Sequence, residues 1–267
     1  MTSASTLVHQ ARVVRVLAAT AFKLKYEDSL LGYFWSLARP LGLFLILYLV
    51  FGRALRLGDQ YADYPLFLLL GVVLFFFFLD ATMRAMTSIV DQSQLLRKLS
   101  FPRVIIPIAV SVTALVTLGL NLVAIAAFLA WNRVVPRVDW LLILPLIVEL
   151  YAFTLGTSLL LAVLFAYFRD IGAIWELGTR AFFYAGAIII PVQLLPAWAE
   201  RAVLLVPFTQ VMQDVRALIL PDTDVVTTGD VLGGAIGYVG PIAITVALLL
   251  LGLLSFRRQE PWFAERL

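Results

Sequence analysis

The chain has 267 residues, 62% of them hydrophobic and only 14% charged, with a formal net charge of +3. Soluble domains run at about 45–50% apolar and about 25% charged, so this excess excludes a soluble core and makes the chain a polytopic membrane protein. There is no cysteine and one histidine, His9, which removes disulfides, thiolate chemistry and an imidazole cluster for metal binding or proton relay.

At the N-terminus, basic residues are not followed by a continuous apolar segment with a small-residue cleavage site, so no cleavable signal is expected. Arg12, Arg15 and Lys23 fall near one helical face, and Leu7, Val14, Ala18 and Ala21 near another. That pattern predicts an amphipathic helix lying in the membrane interface within residues 1–34. Apolar runs of membrane-spanning length then follow at 35–52, 64–86, 104–131, 140–168, 174–195 and 231–256. They predict an all-α fold with six transmembrane helices over residues 35–256, and a tail at 257–267. Trp131 and Trp140 bracket a short loop, as interfacial Trp residues often do.

The lysines Lys23, Lys25 and Lys98 and most of the arginines fall on one side of this six-span arrangement. The positive-inside rule therefore puts both termini in the cytoplasm. The small net positive charge follows from that bias and does not point to nucleic acid.

Two places depart from a plain six-span pattern. Residues 194–220 are apolar, yet they carry Glu200, Arg201, Asp214 and Arg216 and are divided by Pro196 and Pro207. Two short re-entrant helices on the outer side fit them better than further spans. The second departure is a set of ionisable residues inside spans. Asp80–Arg84 and Glu176–Arg180 are spaced i,i+4, so each pair can neutralise itself along one helix face. Glu149 has no such local partner, and is expected to face the protein interior or a wet path rather than lipid. Gly233–Gly240, GGAIGYVG, lacks the Lys and the strand of a phosphate loop and reads as helix packing through small residues.

Between spans two and three lies SQLLRKLSFPR. Gln94, Leu95, Leu96, Arg97, Lys98 and Leu99 can form a short helix, which Phe101-Pro102 then stops. By charge alone it is either a positive-inside anchor loop or a docking element within segment 93–103.

Four segments together resemble the membrane subunit of the ABC-2 type polysaccharide exporters, which move O-antigen, capsule or teichoic-acid chains. They are KYEDSLLGYFWSLARPL, QLLRKLSFPRVIIPIA, FRDIGAIWELGTRAFFYAGAIIIPVQLLP and VPFTQVMQDVRALIL, in order along nearly the whole chain. Val206-Pro207 stands where that family commonly has Asn-Pro. The resemblance implies a permease subunit of an ATP-driven transporter that exports a lipid-linked polysaccharide across the bacterial cytoplasmic membrane. The segment containing Gln94–Leu99, Phe101, Pro102 and Arg103 would then couple to a nucleotide-binding subunit. Leu95, Leu96 and Leu99 would pack into that subunit, while Arg97, Lys98 and Arg103 would pair with its acids or with membrane lipid phosphates.

No G-x-x-x-x-G-K-[ST] occurs, so ATP and Mg2+ would be bound by a separate ATPase chain and not by this one. Six spans are half of a usual permease set, which implies a homodimer with the path between the copies. Sugars slide over aromatic platforms, which makes Tyr33, Phe34, Trp35, Phe182, Phe183 and Tyr184 candidates for the path, with Glu149 as a candidate polar contact. The alternative within the family is a permease for a small lipid or drug. A membrane enzyme would need a charged or His constellation that the chain does not offer, and no catalytic residue is expected.

Overall fold

The computed structural model describes residues 16, 18–20, 32–61, 63–92, 102–131, 136–220 and 225–263. The fold is helical, with no strand among the described residues. Most of the amphipathic stretch expected within 1–34 lies outside them. Val16 and Ala18–Thr20 are helical, and buried Ala18 offers its carbonyl to the Thr113 hydroxyl at 3.3 Å.

Helix α1, Gly32–Leu47, carries Pro40 inside it and continues as a π-helical stretch, Tyr48–Ala54. Most of its side chains face outward. The chain turns at Arg56, which is left-handed at φ 57°, and passes through a single helical turn, Leu57–Gln60. Helix α2, Tyr64–Asp91, follows, with Pro65 in its first turn, where the missing N–H costs nothing.

The central post of the fold is α2. A helix that is apolar on all sides is stable only where all sides are covered. Phe75, Phe77 and Phe78 are buried and Phe76 half-buried, so the run of four phenylalanines packs in the interior and not against lipid. Around it stand α3, Ile105–Trp131, and α4, Ile143–Tyr167, the latter entered through a 3-10 turn, Val138–Leu142. Trp140 in that turn donates its ring N–H to the Leu218 carbonyl at 3.1 Å.

The expected fifth span is helical only over α5, Ile171–Ala185. Its 15 residues reach roughly 22 Å, short of the ~30 Å hydrocarbon core. Beyond it the backbone leaves helical geometry, Ala187 being left-handed at φ 56°, and makes a short 3-10 turn, Val192–Leu194. Then come α6, Ala197–Leu204, and α7, Pro207–Ile219, which meet at 96°. The two short helices expected in 194–220 are therefore present. The described residues hold five helices long and apolar enough to cross a membrane, or six if the bent α6–α7 pair is one broken crossing. The chain is a multi-pass all-α membrane protein.

The last span begins later than residue 231. A short helix, Thr228–Leu232, is capped by a box in which the Thr227 hydroxyl accepts from the Asp230 N–H and the Asp230 side chain accepts from the Thr227 N–H. The Thr227 hydroxyl also donates to Asp230 Oδ2 at 2.6 Å, and that bond, with the one from the Thr227 N–H, holds the Asp230 carboxyl below the usual carboxylate range. Gly233 and Gly234 then adopt φ 95° and 71°, which makes them a turn. Helix α8, Val239–Gln259, follows a 3-10 turn and ends in another, Glu260–Trp262.

GGAIGYVG is thus not a packing stripe over its whole length. The close helix crossing falls instead between α4 and α8, at Gly156 and Gly252. A Cβ on Gly156 would lie 2.6 Å from the Leu249 main-chain N, and one on Gly252 would lie 2.5 Å from the Gly156 carbonyl oxygen. Backbone cannot move aside as a side chain can, so Gly252→Val should force the helices apart and cost about 1–3 kcal/mol. Thermal unfolding in detergent checks this. Gly119→Ala is the control, because nothing stands within 4 Å of its added Cβ, and it should unfold as the parent does.

Candidate translocation and coupling site

Helix α7 is the most polar helix in the core. Thr209, Gln210, Gln213, Asp214 and Arg216 are all buried in it. Their job is legible from the backbone they face. Where α5 ends, four successive carbonyls have no helical partner, and unpaired backbone at membrane depth must be satisfied by protein or water. The Thr209 hydroxyl reaches Gly186 O at 3.4 Å, and Arg216 donates from Nη1 to Ala187 O at 3.1 Å and from Nη2 to Ile188 O at 2.8 Å. The Tyr64 hydroxyl of α2 donates to Ile189 O at 3.1 Å.

Arg216 binds further groups as well. Its Nε donates to Phe67 O at 3.0 Å, its Nη1 to Gln213 Oε1 at 2.8 Å, and its guanidinium carbon lies 3.5 Å from the centroid of the Phe67 ring. No carboxylate pairs with it among the described residues. Carbonyl dipoles and a π face do the neutralising. A Cβ on Gly71 would fall 2.2 Å from Arg216 Nη2, so only glycine leaves room for the guanidinium against α2.

The other polar face of α7 meets Glu149 of α4. Gln210 donates to Asp214 Oδ2 at 2.7 Å, and Asp214 Oδ1 accepts from the Thr228 N–H at 3.2 Å and from the Tyr238 hydroxyl at 3.4 Å. Glu149 lies beside Gln210 and Asp214, and its Oε1 is buried with no hydrogen-bond partner. Glu149 therefore faces protein rather than lipid. Gln210 Oε1 is likewise buried and unpartnered. An amide at 149 would bring a donor to this acceptor-rich spot and remove one of two neighbouring carboxylates. Glu149→Gln is expected to keep thermal stability within about 1 kcal/mol of the parent and to keep at least half of transport. Lost transport with intact stability would assign the negative charge itself a role in the path.

The aromatic candidates separate into two groups. Phe183 is buried against Phe75, ring centroids 4.8 Å apart, and half-buried Phe182 packs on Phe208 at 5.3 Å and Phe78 at 6.0 Å. Both belong to an interior cluster of rings. Tyr184 is 70% exposed, and Phe34 and Trp35 of α1 also face outward. The Tyr33 side chain lies outside the described residues.

Both i,i+4 ion pairs form. Arg84 Nε meets Asp80 Oδ1 at 2.5 Å, and Arg180 Nη2 meets Glu176 Oε1. The first pair lines a cavity of about 340 Å³ between α1, α2 and α3, together with Trp35, Arg39 and Asn121.

Of the candidate coupling segment, residues 94–99 and Phe101 lie outside the described residues, while Pro102 and Arg103 lead into α3. Arg103, expected to pair with a partner, is engaged inside the chain. Its N–H donates to Glu260 Oε1 at 2.5 Å and its Nη1 to the Glu260 carbonyl.

Residues 12–220 match the family model described as ABC-2 type transporter. The chain is similar to an O-antigen export system permease protein RfbA of Klebsiella pneumoniae, 27% identical over 254 residues, covering 94% of this chain and 93% of the relative. A second protein of that name and organism is 29% identical over 182 residues, covering 68% and 70%. A Myxococcus xanthus protein of that name is 25% identical over 261 residues, covering 93% of each. A family match over more than half of the residues, on a chain with at least five long apolar helices among its described residues, makes this chain a member of the ABC-2 type transporter family.

Proposed function

We propose that the chain is the permease subunit of an ATP-driven exporter that carries a lipid-linked polysaccharide across the bacterial cytoplasmic membrane. The observation that carries this reading is the end-to-end likeness to O-antigen export permeases, which covers more than nine tenths of both partners in two cases. ATP and Mg2+ are held by a separate ATPase subunit, which meets this chain at residues 93–103. Two copies of the permease enclose the path. The exposed apolar face of α1 and the exposed Ile174, Leu177 and Tyr184 of α5 supply surface for that assembly and for lipid. Among the described side chains, Phe34, Trp35 and Tyr184 are the aromatic candidates still exposed to meet sugar, and Tyr33 remains a candidate beside them.

Both termini are cytoplasmic, and α6–α7 dips from the outer side without crossing. Because the chain has no cysteine, a single Ala199→Cys is a clean probe. It should react with a membrane-impermeant maleimide added to intact cells after outer-envelope permeabilisation. Reaction only after the inner membrane is opened would reverse the topology.

Function is tested in the producing cell. Loss of the chain should remove surface glycan and leave lipid-linked glycan inside, and the wild-type gene should restore both. Normal surface glycan in its absence would refute the reading.

A further inference from the structure

The C-terminal turn is folded back onto the base of the α2–α3 connection. Pro261 bends the chain just after α8, and Phe263 returns to meet Phe256 edge to face, centroids 5.3 Å apart, both wholly buried. Their cluster includes Ile89 from the end of α2 and Ile106 from the start of α3, with Leu159 and Val163 of α4. Residues on both sides of segment 93–101 therefore share one packed core with the end of the last span. Polar contacts reinforce it. Glu260 takes the Arg103 N–H on its side chain and the Arg103 guanidinium on its carbonyl, and the Tyr167 hydroxyl at the end of α4 bonds Gln259 Oε1.

We propose that Glu260–Phe263 is a clamp that holds the base of the α2–α3 connection to α8, so that a displacement at this connection moves α8 and, through the Gly156–Gly252 contact, α4. Close-packed contacts pass on a displacement that a loose loop would absorb. Glu260 and Phe263 are positioning residues, and their role rests on the reading of 93–103 as the ATPase contact. The absence of this contact would leave ATP hydrolysis running without moving the spans.

The test expresses the full chain with its ATPase subunit in cells lacking the native gene. The probe is the producing strain's own lipid-linked glycan, read as surface glycan by lectin blot. Co-purification of the ATPase subunit and the hydrolysis rate of the purified complex are read alongside. Glu260→Ala should lower surface glycan at least five-fold, keep the ATPase subunit bound and keep hydrolysis within two-fold. Glu260→Gln retains an oxygen for the Arg103 N–H and should recover at least half of export. Phe263→Ala should behave as Glu260→Ala and Phe263→Leu as the parent. If Phe263→Ala does not accumulate, the Glu260 pair decides.

Unchanged export in Glu260→Ala, equal loss in Glu260→Gln, or hydrolysis falling in step with export overturns the clamp. The chain carrying Leu95→Glu and Leu96→Glu separates the two readings. If it still holds the ATPase subunit, the contact reading fails and takes the clamp with it. If it loses the subunit while Glu260→Ala exports normally, the clamp alone fails.

Discussion

Replacing Arg216 by alanine should lower stability by about 3–5 kcal/mol, the largest loss expected from a single change in this chain. The substitution leaves the carbonyls of Ala187 and Ile188 without donors in a buried site and takes from the Phe67 carbonyl a second donor beyond its own helix bond. An unsatisfied buried polar group costs about 1–3 kcal/mol, and the empty volume adds to that. Arg216→Lys should fall between parent and alanine, because an ammonium on a flexible stem cannot serve three diverging carbonyls as a planar fork does. Gly71→Ala should approach the alanine result by another route, since its Cβ would collide with a guanidinium that is held on all sides. Thermal unfolding of the detergent-solubilised protein, with yield of folded chain as a second readout, checks all three. An Arg216→Ala protein that unfolds with the parent would remove this network from the account.

Leu95→Glu with Leu96→Glu should abolish retention of the ATPase subunit by the purified permease. Membrane insertion and thermal stability should stay as in the parent. Two apolar side chains seated in a partner contribute roughly 1.5–3 kcal/mol each, and burying a carboxylate in their place costs more. Together the changes remove several orders of magnitude in affinity. Co-purification of the two subunits at matched expression is the measurement. A full yield of ATPase subunit on the doubly substituted chain would assign these leucines to the membrane surface.

The spans of the fold are legible because a stretch such as Tyr64–Asp91 has nowhere to go but the interior of a membrane protein. Its boundaries follow from Pro65 at one end and the polar residues after Asp91 at the other. The break after Ala185 is not legible in the same way. AIIIPV continues the apolar run, and what lets the backbone leave the helix there is a set of donors far away in sequence, Tyr64, Thr209 and Arg216. Helix α7 misleads for a related reason. Polar residues recurring along one face suit a helix at the interface, and they suit equally a buried helix whose polar face meets backbone. Its charges suggest the surface, yet Asp214 and Arg216 are buried. The one available signal is that Thr209, Gln213 and Arg216 all carry donors and recur at spacings of four and three, which places them on a single helix face. Phe182 and Phe183 adjoin Tyr184 in sequence, but helical geometry turns Tyr184 outward and the other two inward. For Glu149, the lack of a basic residue at i±3 or i±4 points to neighbours from another helix, and Gln210 and Asp214 of α7 lie beside it.

Glycan export by this chain can be measured by purifying it with its ATPase subunit, reconstituting both into vesicles loaded on one face with the producing strain's lipid-linked glycan, and following glycan on the opposite face. Glycan should cross only with hydrolysable ATP and Mg2+ and only when both subunits are present, and a small fluorescent phospholipid offered in its place should stay where it is. ATP-dependent movement of the small lipid with the glycan left behind would contradict glycan export as the function.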